Sequence, residues 1–275
     1  MKKYKRTKSR ILGQHFLKSP GILSKIIDVI GPGKNDVIIE IGAGRGALTF
    51  PLAKKAGKII AIEKDPALTS FLREKAPPPV SVVAGDALET DFFSLLNGGL
   101  DFSGQAKLVG NLPYSISSPL LFKVIKEKDL FNKCVFLVQK EVAERICASA
   151  GSKKYAPLSI LLDIYFISRL HFIVRPGAFA PPPKVDSALI SLDKRTVPLF
   201  SIRDESLFLE FLRKAFKQRR KTLWNNLSET SGSPDLEEAF QKSGLERKIR
   251  PEQLTVAQYV DLFDFFHFRF QTLIA

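Results

Sequence analysis

From Asp36 onward the chain alternates short apolar runs with segments long enough for a helix. Residues 37–41 read as a short buried strand, and 58–62, 80–84, 107–109 and 134–138 as the strands that follow it. Between them, 47–56 and a stretch opened by Asp65-Pro66 read as helices. Strands separated by helix-length connections pair in parallel, so the pattern predicts a doubly wound α/β sheet that binds its ligand beyond the carboxyl ends of the strands. Ahead of the sheet, Ser19-Pro20 opens a helix with Ile22, Leu23, Ile26, Ile27 and Ile30 on one face, and Gly31-Pro32 ends it.

Past the fifth strand, Leu158, Leu161, Leu162 and Tyr165 have helical spacing, although the run is apolar enough for a strand. Residues 171–174 and 188–192 read as strands around a stiff, proline-rich loop from Arg175 to Lys184, and such strands can pair antiparallel at the sheet's edge. After a linker at 193–198 the period is helical throughout. Phe208, Phe211, Leu212, Ala215 and Phe216 make one face, a second helix runs from Ser233-Pro234 to near Gly244, and Thr255 to Gln258 forms a capping box with Leu254 and Tyr259 as a staple. The expected organisation is an arm at 1–10, an α/β domain at 11–195 and a small all-helical domain at 199–275.

Charge adds a partner to this picture. The 275 residues carry 42 Lys+Arg against 28 Asp+Glu, a net charge of +14, which favours a polyanion: nucleic acid or an acidic membrane face. The longest apolar stretch, 158–174, contains Asp163, Arg169 and His171 and does not read as a membrane span. The basic N-terminus lacks the apolar segment of a secretory signal. Two cysteines fit a reducing compartment, and three scattered histidines offer no metal-ligand spacing. We therefore expect a cytoplasmic protein, a monomer, with no metal and no membrane partner. Residues 1–10 hold six basic side chains and no acid, the form of a solvated tail or of an RNA-touching arm. Arg213, Lys214, Lys217, Arg219, Arg220 and Lys221 crowd a second basic stretch, read as a phosphate-tracking surface in view of the total charge.

Chemistry gathers at the predicted strand ends. Gly42-Ala43-Gly44-Arg45-Gly46 follows the first strand with Gly-x-Gly-x-Gly spacing, not the Gly-x-Gly-x-x-Gly of a dinucleotide site. Alone it is equally a tight structural turn. Glu63, at the end of the second strand, can accept from both hydroxyls of a ribose, and Asp86, after the third, from an adenine amino group. Three such features in succession indicate an adenosyl cofactor. After the fourth strand comes Asn111-Leu112-Pro113-Tyr114. The Asn111 side-chain oxygen and the Leu112 carbonyl can accept the two hydrogens of an exocyclic base amine and so favour a pyramidal nitrogen, while Tyr114 stacks on the base. Phe179, presented by the proline-rich loop, either closes the other side of a flipped base or plugs the core beneath the loop.

In these residues the chain resembles the KsgA-type ribosomal RNA small-subunit adenine dimethyltransferases. The resemblance is carried by Gly13-Gln14-His15-Phe16-Leu17, Glu40-Ile41-Gly42-Ala43-Gly44-Arg45-Gly46, Glu63, Gly85-Asp86-Ala87-Leu88, the 111–114 tetrad, Phe179 with Pro181 to Ser187, and Arg219-Arg220-Lys221-Thr222-Leu223. It implies a Rossmann-like methyltransferase domain and a helical C-terminal domain. It further implies S-adenosylmethionine as cofactor and dimethylation of N6 on two adjacent adenosines near the 3′ end of small-subunit (16S) rRNA, on a pre-30S particle. By matching position, His15, Leu17, Gly42, Glu63, Asp86 and Asn111 line the cofactor site, with Gly44 in its turn, and Asn111, Leu112, Tyr114 and Phe179 surround the base. His15 departs from the asparagine usual in bacterial members. Two other classes remain as alternatives: a non-catalytic assembly or RNA-binding factor on the same scaffold, and a nicotinamide-dependent oxidoreductase, which the glycine spacing disfavours.

Overall fold

The computed structural model describes residues 14–97, 105–228 and 233–274. The basic arm at 1–10, Gly13 and the His267 side chain lie outside the described residues. Seven strands form the main sheet in the order β4-β3-β2-β5-β6-β9-β7: β2 (Val37–Ile41), β3 (Lys58–Glu63), β4 (Val80–Ala84), β5 (Ala106–Asn111), β6 (Phe131–Gln139), β7 (Phe166–Val174) and β9 (Ser187–Lys194). The first five pair in parallel, and β9 runs antiparallel to β6 with Phe136 opposite Ile190. Ile38, Ile39, Ile59 and Leu108 are fully or almost fully buried, as a parallel sheet covered on both faces requires. The order reverses between β2 and its neighbours β3 and β5, which opens a crevice at their carboxyl ends.

The helix α1 (Pro20–Ile30) begins with Pro20 in its first turn and ends at Gly31, whose φ of +57° lets its N–H reach the Ile27 carbonyl. Its Ile26, Ile27 and Ile30 pack into one cluster with Ile38, Val109, Val135 and Leu189. The predicted 47–56 helix is shorter, α2 (Thr49–Ala53), because the glycine turn continues through Leu48 before the helix begins. Then follow α3 (Pro66–Lys75), capped by Asp65 accepting from Ala67, α4 (Phe92–Asn97) and α5 (Ser117–Lys126).

A second, two-stranded sheet was not legible in the pattern. Phe16–Leu17 (β1) pairs antiparallel with Phe179–Ala180 (β8), Leu17 opposite Phe179. Strands this short leave no period to read.

The chain forms two compact units, and their boundary differs from the expected one at 195–199. The first unit takes the chain through Ala143 and Ile167–Lys194; the second takes Glu144–Phe166 and everything from Arg195. The cause is α7 (Pro157–Tyr165), which follows α6 (Lys140–Ile146). Its Leu158, Ile160, Leu161, Leu162 and Ile164 are all buried, so it needs apolar cover on every side. It packs against α8 (Glu205–Ala215) and α11 (Val256–Ile274). The expected linker at 193–198 divides: Asp193 and Lys194 end β9, and beyond them Arg195 N–H donates to the Tyr165 carbonyl at 2.9 Å and Leu199 N–H to that of Ile164 at 2.9 Å. The alternative of a strand at 158–165 is thus excluded, with β7 beginning directly after the helix.

In the second unit α8 buries the predicted Phe208, Phe211, Leu212 and Ala215. The unit is completed by α9 (Leu223–Leu227) and α10 (Ser233–Lys242). The Thr255–Gln258 capping box is formed reciprocally, with Thr255 N–H to Gln258 Oε1 at 3.0 Å and Gln258 N–H to Thr255 Oγ1 at 3.2 Å. Among the described residues no helix is long and apolar enough to cross a membrane.

Candidate active site

At the crevice a cavity of about 390 Å³ is lined by the ends of successive strands. Gly42 and Gly44 reach it after β2, Glu63 at the end of β3, Asp86 after β4, Asn111 at the end of β5, and Leu112 and Tyr114 just beyond it. His15 and Phe179 arrive from the small sheet. Of the residues proposed from the sequence for this region, Leu17 alone lies elsewhere: it lines an adjoining cavity of about 260 Å³ beneath the glycine turn.

The glycine turn owes its shape to left-handed backbone, with φ of +67° at Gly42 and +60° at Gly44. A Cβ at Gly44 would lie 3.1 Å from the Phe16 ring, so the missing side chain is what lets the turn sit under β1. Glu63, 5% exposed, braces the turn: its Oε2 accepts from Gly44 N–H and its Oε1 from Asp65 N–H, both at 2.8 Å. Each oxygen keeps a lone pair for a ribose hydroxyl. Asp86 accepts from Lys64 Nζ at 2.7 Å and from Leu88 N–H at 2.9 Å. The Lys64 hydrogen bond, followed by that of Leu88, lowers the Asp86 carboxyl below its ordinary range and keeps it an acceptor.

The tetrad is anchored at every residue. Asn111 Nδ2 donates to the His15 carbonyl at 2.7 Å, and Leu112 N–H to the Leu137 carbonyl on β6 at 3.0 Å. The Pro113 carbonyl accepts from Ile116 N–H at 3.1 Å and Ser117 Oγ at 3.3 Å, so Ser117 ties the turn to α5. Tyr114 Oη and Ser187 Oγ are 3.1 Å apart, and the Tyr114 ring lies 5.8 Å from that of His15 at 32°. Phe179 is 2% exposed and packs in the cluster of Leu17, Val174 and Leu189 while also lining the cavity. It therefore has the contacts of a core residue and a position on the wall of the site.

Sequence reasoning missed three contributors. Lys64 follows Glu63 directly, a signal available in hindsight from a base beside two acids. Ser187 lies in a motif already noted. Glu40 is 3% exposed within a strand, its Oε2 has no hydrogen-bond partner among the described residues, and it lines the cavity under the glycine turn. Burial, reinforced by the Glu63 charge, pushes its carboxyl up to about 8.

In the second unit, Arg219 Nη2 donates to the backbone carbonyls of Lys153 and, at 3.1 Å, of Tyr155. Arg219 thus holds the turn before α7, a role its place in a basic run did not suggest. Arg220 is exposed and Lys221 half-buried. Among the described residues no cluster of three or more His, Cys, Asp or Glu is placed to hold a metal.

A mixed seven-stranded sheet, parallel over five strands, with a glycine turn and two acids at successive strand ends is that of a Rossmann-like methyltransferase of the S-adenosylmethionine-dependent class. A model of the ribosomal RNA adenine dimethylase family matches residues 5–267, and the chain belongs to that family. It is 38% identical over 258 residues to ribosomal RNA small subunit methyltransferase A of Geobacter metallireducens, covering 92% of this chain and 93% of the relative. The same-named protein of Xanthomonas oryzae is 42% identical over 253 residues, covering 91% and 93%. A solved dimethyladenosine transferase of Plasmodium falciparum superposes with a TM-score of 0.77 at 28% identity, covering 92% of this chain and 98% of that one. The chain is an S-adenosylmethionine-dependent rRNA adenine dimethyltransferase.

Proposed function

We propose that this chain places two methyl groups on N6 of each of two adjacent adenosines near the 3′ end of small-subunit (16S) rRNA, acting in the cytoplasm, as a monomer, on an assembling pre-30S particle. The observation that carries the reading is the orientation of Asn111. A carbonyl oxygen can only accept, so the group facing the His15 carbonyl at 2.7 Å is the amide NH₂. With Nδ2 committed, Oδ1 is the atom left to accept from a substrate.

An exocyclic amine is a poor nucleophile because its lone pair is delocalised into the ring. Asn111 Oδ1 and the Leu112 carbonyl accept its two hydrogens, which favours a pyramidal nitrogen with the lone pair aimed into the cavity. Tyr114, held through its hydroxyl to Ser187, stacks on the base, and Phe179 forms the opposite wall. The alkylated amine is acidic enough to lose its proton to water, so no carboxylate base is needed.

The residues present fit the cofactor. The cavity volume is in the small-molecule range, roughly 300–1,000 Å³. Glu63 would accept from the ribose hydroxyls and Asp86 from the adenine amine, while Gly42, Gly44, His15 and Asn111 line the remainder and Leu17 lines the adjoining cavity. When bound, the cofactor supplies an electrophilic methyl group on a sulfonium centre. Arg220 and Lys221 meet RNA phosphates, together with the donors that Arg219 does not give to Lys153 and Tyr155.

The test is incubation with labelled cofactor and small subunits lacking the modification, followed by mass analysis of the rRNA. N6,N6-dimethyladenosine at two adjacent positions is expected. Cofactor binding without transfer, or methylation of a different base, overturns the reading.

A further inference from the structure

We infer that His15 is a positioning residue for the base pocket: its backbone carbonyl sets the Asn111 amide while its ring holds the segment that carries Phe179. This rests on the methyltransferase reading above and goes beyond the cofactor contact that position 15 carries by resemblance.

Residue 15 is where the tetrad and the loop between β7 and β9 meet. Its carbonyl accepts from Asn111 Nδ2 at 2.7 Å. Its ring Nδ1 lies 2.8 Å from the Pro181 carbonyl, 166 residues along the chain. Facing an atom that can only accept, Nδ1 carries the hydrogen in either protonation state of the ring. The ladder next to it is short: Phe16 opposite Ala180, Leu17 opposite Phe179, and Lys18 N–H to the Ala178 carbonyl at 2.9 Å. Two-residue strands hold poorly unaided, and the His15 ring extends the attachment by one residue beyond their end. The far side of the loop is tied independently through Ser187 to the Tyr114 hydroxyl. The Phe179 wall of the base pocket is thus referred to the Asn111 amide through residue 15, and a shift of that residue moves amide and wall relative to each other.

Asparagine at this position preserves the strut, because its Nδ2 occupies the place of the imidazole Nδ1. Alanine removes it and leaves the backbone carbonyl in place.

Two measurements test the inference. Long-range nitrogen–proton NMR spectra of the His15 ring in the intact protein are expected to show the proton on Nδ1; a bare Nδ1 overturns it. In single-turnover transfer to unmodified small subunits at saturating cofactor, His15→Ala is expected to be slower by about tenfold to a hundredfold. Cofactor Kd, read by calorimetry, is expected to rise by a smaller factor than the rate at saturation falls. His15→Asn is expected to restore most of the rate. A His15→Ala protein that weakens cofactor binding while keeping the wild-type rate at saturation overturns the inference, as does a His15→Asn protein no faster than His15→Ala. If the wild-type protein transfers nothing, the proposed function fails instead, and the NMR result still decides the strut.

Discussion

In the proposed reaction the Asn111 side chain donates to one neighbour and accepts from the substrate, and an amide supplies a separate atom for each role. Asn111→Ala is expected to lower single-turnover transfer by about 10²–10³-fold, the loss seen when a preorganised hydrogen-bonding group is removed. Asn111→Asp keeps the acceptor but sets a carboxylate against the His15 carbonyl at a position where the amide now sits at 2.7 Å. It is expected to cost about 1–3 kcal/mol in thermal unfolding as well as the rate. Glu40 makes a prediction of the opposite sign. Its folded carboxyl, at about 8, lies above the ordinary glutamate value of 4.5, so between those values the unfolded chain releases a proton that the fold retains. Stability from this group is therefore full below pH 4.5, falls as pH rises through the interval, and levels off above 8, at a loss of no more than ~5 kcal/mol. Glu40→Gln is expected to raise the melting temperature at pH 8 and to leave it unchanged near pH 4.5, and melts at both values decide this. The placing of Glu63 and Asn111 at the cavity could be read from sequence because each ends an apolar strand, and that of Asp86 because it follows one closely. Glu40 could not, since a glutamate inside a strand looks the same whether both its oxygens are paired or one is left without a partner.

Strands and helices were legible to the extent that they carry a period. The five parallel strands are continuous apolar runs, and the capping box at Thr255 is a local pattern that formed as written. What escaped was either too short to show a period, as in β1 and β8, or decided by a distant partner, as in the assignment of 144–166 to the second unit. The element that matters most for the chemistry is the pairing of β2 with β5, where Gly110 lies opposite Ile41. A Cβ at Gly110 would lie 2.6 Å from the Ile41 carbonyl oxygen and 3.1 Å from the Leu112 side chain, so one strand has to give way. Because Asn111 is the next residue, the displacement passes directly to the amide. Gly110→Ala is expected to destabilise by about 1–3 kcal/mol in denaturant unfolding, the usual cost of overpacking. It is also expected to slow transfer more than it weakens cofactor binding, since Glu63 and Asp86 stand on other strands. Equal losses in both would show that β5 supports the whole cavity and not the base pocket in particular.

Over the whole molecule, the excess of 42 basic over 28 acidic side chains predicts an RNA affinity dominated by counterion release, with log K falling by about 0.7 to 0.9 per log salt for each phosphate neutralised. The total was plain from composition, but the division of labour within the basic run was not, because a sequence does not tell an arginine that faces solvent from one that faces its own backbone. Arg219 is partly committed to the carbonyls of Lys153 and Tyr155, whereas Arg220 is exposed. The two substitutions are therefore expected to separate. Arg220→Ala should leave the melting temperature unchanged and flatten the salt slope by about one phosphate's worth, ~0.7 to 0.9. Arg219→Ala should lower the melting temperature, because two backbone carbonyls lose a charged donor, a cost of about 1–3 kcal/mol. Titration of unmodified small subunits between low and moderate salt, beside thermal melts of both variants, reads the two effects on separate axes. An Arg220→Ala slope equal to wild type would remove this segment from the RNA surface and leave the remaining charge to account for the affinity.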